Sequence, residues 1–387
     1  MNERLDKLCL LPPPTNTPWS GQAVAESSRR VIQRADAQAV EIDVPLFWYD
    51  PPWHRLSADT ADVVAVAVGQ LGVLVSALRS DLSGPDRQPV LHGVDRQQNE
   101  DEPITEPGSA PLPRIFPYRP ERYGVSDRDF DGPKIIDLRL TMFRDDSGRF
   151  AFSPEQIERW EATAANAPLA GGSWVPAATF PPDVVSMRHL SSKLSQLRAL
   201  SPAAAVFVSM GPYRLEQELP EIVAAEPDGL ILRLDELELD GLKLAMLTRH
   251  ARQLVQRAGA ADLPLWIVPG EITPDDAVKL VALGASGVAI DSWCDEIIDE
   301  AENQNQTLAA GGYASRRRRN DGDLIELVEQ ELATRVERFK GLLSSLECLP
   351  ENERLASVSD AWGRALGIRS LLFAGGSASV ATKSAKQ

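Results

Sequence analysis

Short, mostly apolar runs alternate along this chain with longer segments whose apolar residues recur every three or four positions. The runs at 44–49, 135–140, 204–209, 229–234, 265–268 and 288–290 read as strands buried on both faces, as in a parallel sheet covered by helices. Between them, residues 186–200, 215–225 and 242–258 read as helices, and Ser153-Pro154 supplies an N-cap and a first-turn proline for another. Residues 173–176 read as a strand end. One complete unit lies at 264–291: the run 265–268 ends at Pro269-Gly270, Thr273-Pro274-Asp275-Asp276 opens a helix, Leu283-Gly284-Ala285 closes it, and 288–290 is the next strand. Seven or eight strands can be placed, which predicts a (β/α)8 TIM-type barrel over 41–300 rather than an open sheet.

The flanks carry a different pattern. Residues 1–40 form an N-terminal extension with an amphipathic helix expected from 21 to about 37. Pro51-Pro52 leads to a helix capped near 57–59. The apolar stretch 61–78 contains Asp62, Gln70 and two glycines, so a buried helix is expected there and not a membrane span. Residues 84–122 are rich in proline and acid, the composition of a loop or linker excursion. Apolar spacing over 321–346 and 354–366 predicts two helices in a C-terminal segment (301–370), with 371–387 expected as a disordered tail.

Composition narrows the function classes. The 387 residues are 43% hydrophobic, and mean hydropathy is −0.20. A net charge of −16 and a pI near 4.8 argue against nucleic acid and anionic membranes as partners, since both are polyanions. The basic run 316–319 is read as a solvated loop. Three widely spaced cysteines, Cys9, Cys294 and Cys348, make a disulfide framework or a zinc site unexpected and suggest the cytoplasm. No secretory signal is visible. The four histidines, His54, His92, His189 and His250, are scattered, with surface or capping roles expected.

The order of parts over 44–368 resembles the FMN-binding barrel of glutamate synthase, in its short single-domain form. The resemblance is carried by Phe180-Pro-Pro-Asp-Val-Val-Ser-Met-Arg-His-Leu190, by the strand and helix from Val206 through Ser209 to Leu219, by Pro227-Asp-Gly-Leu-Ile-Leu-Arg233, and by the helix from Ile272 to Ala285. It implies FMN, an iron-sulfur cluster and electron transfer. The motifs depart where cofactor would be held. The family's flavin-contacting lysine falls at Ser209, its glycine-rich stretch at Asp235-Glu-Leu-Glu-Leu-Asp240, its double glycine at Pro269-Gly270, and its last phosphate glycine at Asp291. One nearby cysteine, Cys294, cannot hold a cluster.

A phosphate facing these acids would be repelled, so no FMN and no iron-sulfur cluster are expected. The leading expectation is a pseudoenzyme, serving as scaffold, partner subunit (in a hetero- or homo-oligomer) or ligand-binding protein. The alternative is an FMN-dependent oxidoreductase of amino-acid or ammonia metabolism with a rearranged site, its cofactor contacts drawn from Ser209, Gly270, Glu271 and Ser292. A hydrolase or lyase using mouth acids ranks third. In a barrel the strand C-termini converge on one mouth, which collects Trp48, Asp50, Arg139, Trp174, Ser209, Arg233, Asp235, Glu271 and Asp291 as polar or aromatic candidates.

Overall fold

The computed structural model describes residues 3–12, 26, 28–34, 37–56, 58–82, 112–119, 125–140, 143–144, 150–152, 175–176, 184, 186–235, 237–310 and 326–371. The helix at Ser153, Trp174, His92, the run 316–319 and nearly all of the tail lie outside them. Eight strands pair in parallel, each with the next in sequence: β1 Leu46–Trp48, β2 Leu74–Ser76, β3 Arg114–Tyr118, β4 Ile135–Arg139, β5 Ala205–Met210, β6 Gly229–Arg233, β7 Leu265–Val268 and β8 Gly287–Ala289. β8 pairs back onto β1, so the chain forms the closed (β/α)8 barrel that the pattern predicts. Helices α1 Ala58–Gln70, α2 Arg79–Leu82, α3 Leu190–Leu200, α4 Leu215–Ala224, α5 Gly241–Arg257 and α6 Pro274–Ala282 intervene, and α7 Asp291–Ala310, α8 Ala333–Glu347 and α9 Asp360–Leu366 follow.

Two apolar clusters correspond to the two faces of the strands. Leu46, Trp48, Val206, Val208 and Leu230 pack outward with the helices, whereas Phe47, Tyr49, Phe207, Ile231 and Trp266 pack inside the barrel. The interior is filled by aromatic rings set against glycines. Phe207 lies opposite Gly229 and Trp266 opposite Gly287, and a Cβ on either glycine would come within 2.3 or 2.7 Å of the ring. Those two strand starts therefore require glycine, the large-beside-small packing of a filled barrel core.

Tertiary context overrides local pattern in four places. Within the expected helix 21–37, Arg30–Ile32 is a strand paired antiparallel with Val40–Ile42. Its Ile32, with Val40 and Ile42, joins the interior cluster, so this hairpin plugs the barrel. The stretch 61–78 is not one helix: α1 ends at Gln70, Gly72 turns at φ +80°, and β2 follows. The proline-rich excursion 84–122 contains β3. Pro113 and Ile115 offer their carbonyls to the β2 side. By parity Pro117 faces the same side beyond the end of β2, where its missing N–H costs no ladder bond. The expected helix 354–366 begins instead as a strand, Leu355–Ser357, because Leu8–Leu10 pairs with it. The C-terminal segment docks on the barrel wall through α8, where Arg338 pairs with Asp275 and Arg335 with Glu296.

Candidate functional site at the barrel mouth

The strand ends bring a continuous polar network to the mouth. Alternation along β1 places Tyr49, not Trp48, inside; Trp48 belongs to the outer cluster and stacks on Trp53 at 5.1 Å. Arg139, at the end of β4, is buried and donates from Nε to Asp137 (2.8 Å) and from Nη2 to the Tyr49 carbonyl (2.6 Å) and Ser76 Oγ (2.9 Å). Its Nη1 reaches Asp50 at 3.3 Å. The Tyr49 hydroxyl donates to Ser209 Oγ (3.2 Å), and Ser209 donates to Asp137. Ser209 and Asp137 are fully buried. The Arg139 guanidinium lies 3.9 Å from the Tyr49 ring centre and that of Arg233, on β6, 5.7 Å, both within cation–π range.

Electrostatics keep this network charged. Burial opposes the Arg139 charge, but the carboxylates of Asp137 and Asp50 outweigh it and raise the guanidinium's affinity for its proton. Burial also raises the Tyr49 phenol, which stays protonated as a donor. Although the Asp50 side chain is largely exposed, desolvation by the surrounding mouth opposes its charge, and Arg139, Arg119 and Arg233 together hold its carboxyl below its ordinary value.

The opposite rim, at β7 and β8, is where barrels of this type commonly hold phosphate, on loop N–H groups and a helix N-terminus. Here the first turn of α7 carries Asp291, whose Oδ1 accepts from the backbone N–H of Tyr49 (3.1 Å) and Asp50 (2.6 Å). After β7, Pro269 and Glu271 turn their carbonyls to Arg4, which donates to them at 2.8 and 3.0 Å and to the Leu239 carbonyl at 2.6 Å. Gly270 adopts φ +77°, a left-handed turn in which a Cβ would lie 3.7 Å from both Arg4 and the Asp235 backbone. The N-terminus of α6 is likewise taken: Thr273 caps it, and Asp276 accepts from Thr273 and from the backbone N–H of Arg4 and Leu5. Ser292 Oγ accepts a long bond from Ile272 N, 3.5 Å. Asp240, the last acid of the stretch that begins at Asp235, caps α5. The N–H groups of Tyr49 and Asp50 are thus taken by Asp291 and the loop carbonyls by Arg4, which is not the arrangement of free backbone donors that holds a phosphate.

Asp291 also reports on pH. The residue is only partly covered, but its Oδ2 is shielded from solvent with no partner among the described residues. Burial is the largest effect on the carboxyl; the Asp50 N–H opposes it, Asp50, Asp295 and Asp235 add to it, and the result is about 8. Asp295 is pushed up to about 6, again chiefly by burial. A free carboxyl ionises near pH 4. Between about pH 4 and 8 the folded chain therefore holds protons that the unfolded chain has lost, and stability falls as pH rises, by up to roughly 1.4 kcal/mol per pH unit for one group. Urea midpoints from about pH 5 to 9 are expected to decline and then level off, with a shallower slope in Asp291→Asn. An unchanged slope in the variant rejects this assignment.

Cys294 is buried, and burial with Asp291 and Asp295 pushes its thiol up, so it is held protonated. Among the described residues no three His, Cys, Asp or Glu are arranged to hold a metal ion, and no helix is long and apolar enough to cross a membrane. Asp50, Arg139, Ser209, Arg233 and Asp291 come together at the mouth, Asp235 lies by the β7 turn, and Glu271 contributes its carbonyl. Sequence reasoning missed Tyr49, Ser76 and Asp137, which lie on or beside strands buried on both faces. It also missed Arg4 and Asp276, whose pairing spans more than 270 residues.

No family model and no curated protein matches the sequence. Solved structures resemble the chain at low identity. They include a mandelate oxidase variant with benzaldehyde (14% identity, 91% of this chain and 86% of that one, TM-score 0.45). A flavocytochrome b2 variant with sulfite bound matches at 11% identity over 95% and 74%, TM-score 0.47. An oxidised active mutant of (S)-mandelate dehydrogenase matches at 14% over 91% and 88%, TM-score 0.46. Likeness at these levels assigns no chemistry to this chain; what stands on its own strand pairing is a (β/α)8 barrel.

Proposed function

We propose that this barrel is a non-catalytic ligand-binding protein that does not hold FMN in the way of the glutamate-synthase-type barrels its sequence resembles. The supporting observation is the β7–β8 rim, where Asp291 takes the N–H groups of Tyr49 and Asp50, and Arg4 takes the carbonyls of Pro269 and Glu271. A phosphate would have to displace both sets of contacts. The polar groups of the β1–β5 half are by contrast held rigid from below, which suits recognition of a small ligand. Three free cysteines suit a reducing compartment.

Titration of the purified full-length chain with FMN, followed by flavin fluorescence and thermal shift, is expected to show no saturable binding at millimolar FMN. Saturable binding with stabilisation overturns this reading in favour of an FMN-dependent oxidoreductase with a rearranged site. One observation favours that second reading: Arg4 uses three of its five N–H donors, leaving two at the rim without a partner among the described residues. Under it, Arg4→Ala weakens FMN by about tenfold or more, the scale of one charge-assisted contact; under the first, Arg4→Ala leaves the absent FMN response unchanged.

A further inference from the structure

The Arg139 guanidinium is fixed on three sides. Asp137 holds Nε, the Tyr49 carbonyl and Ser76 hold Nη2, and the Tyr49 ring covers one face. Among the described residues only Asp50 meets Nη1, at 3.3 Å, the longest of the four bonds. The Asp50 side chain is 66% exposed, against 7% for Arg139. Its backbone N–H stays pinned to Asp291 at 2.6 Å, so the carboxyl can swing off Arg139 by side-chain rotation alone. Arg119 and Arg233 also act on that carboxyl. A rigid buried cation whose single open edge is covered by a loosely held carboxylate is a preorganised carboxylate site with its own side chain in place.

We propose that Arg139 is the recognition group of a site for a small monocarboxylate, and that Asp50 is its internal occupant, displaced when ligand binds. The size follows from the stand-in, since the Asp50 side chain presents an acetate-sized group to Nη1. One hydrogen of Nη1 has no partner among the described residues, so an incoming carboxylate oxygen has a donor before Asp50 leaves. The proposal rests on the ligand-binding reading above, but it uses β1 and β4 rather than the β7–β8 rim.

Sodium acetate and sodium propionate, each against sodium chloride and sodium phosphate at equal ionic strength, test it on the full-length chain, Asp50→Ala and Asp50→Asn. Binding is read by thermal shift and by line broadening of carboxyl-labelled acetate. Saturable, acetate-selective binding is expected in the wild type and at least about tenfold tighter binding in Asp50→Ala, with Asp50→Asn also tighter than wild type. Equal responses to acetate and chloride in all three proteins overturn the site. Acetate binding that is no tighter in either Asp50 variant overturns the role of Asp50 as occupant. Selectivity for phosphate over acetate overturns the ligand class. FMN is titrated into the same three proteins: saturable FMN binding overturns the non-flavin reading and leaves the acetate comparison to be judged by itself.

Discussion

Replacing Asp137 by alanine is expected to lower the free energy of unfolding by roughly 3–5 kcal/mol, because it removes one partner of a buried ion pair. Asp137 has no solvent exposure and is the charge partner of Arg139 below the mouth. Without it, the guanidinium keeps hydrogen bonds to neutral oxygens, but its remaining carboxylate, Asp50, is exposed and weakly placed. Ser209 simultaneously loses its acceptor. The cost therefore lies in the charge left behind, and a paired replacement distinguishes this from lost packing. Asp137→Ala with Arg139→Met removes both charges without adding volume and is expected to be markedly more stable than Asp137→Ala. Denaturant unfolding of the three proteins checks it; a double variant as unstable as the single one would sink the ion-pair account.

A second large effect is expected at Asp276. This carboxylate is fully buried and accepts from the backbone N–H of Arg4 (3.0 Å), Leu5 (2.8 Å) and Thr273 (3.1 Å) and from Thr273 Oγ (3.0 Å). It thus completes the α6 capping box and anchors the N-terminal segment in one group. Asp276→Ala is expected to cost about 2–4 kcal/mol, from an unsatisfied helix start and two stranded N–H groups. It is also expected to speed proteolysis within residues 3–12, since Leu5 would then be held chiefly by Lys279 at its carbonyl and by its own apolar burial. Unchanged cleavage in a destabilised variant would mean that the segment is held by its strand pairing with Leu355–Ser357 instead.

The barrel itself was legible because β5 to β8 are buried on both faces, so each reads as an apolar run between two helical patterns. Strand β3 was not, since Arg114 and Pro117 break the run and the nearby prolines imitate a linker. The buried Arg114 is tolerated because the carbonyls of Ala77, Asp129 and Asp131 take its guanidinium and the Asp129 carboxylate lies 3.7 Å from it. Half of the mouth was found from strand ends alone: Asp50, Arg139, Ser209, Arg233 and Asp291. Tyr49 and Asp137 escaped because both faces of β1 and β4 are buried, so hydrophobicity does not say which parity points inward.

The sequence by itself determined the βα alternation, the helix start at Thr273-Pro274-Asp275-Asp276 and the lack of a glycine-rich phosphate turn, because each is written in local spacing and backbone chemistry. Only the tertiary structure decided which donors and acceptors meet. The pairing of Leu8–Leu10 with Leu355–Ser357, Arg4 over the β7 turn, and Asp291 on the N–H groups of Tyr49 and Asp50 all join residues more than 200 positions apart. Barrel closure sets these contacts by bringing β8 against β1, and no local pattern records the register in which a closed sheet meets itself.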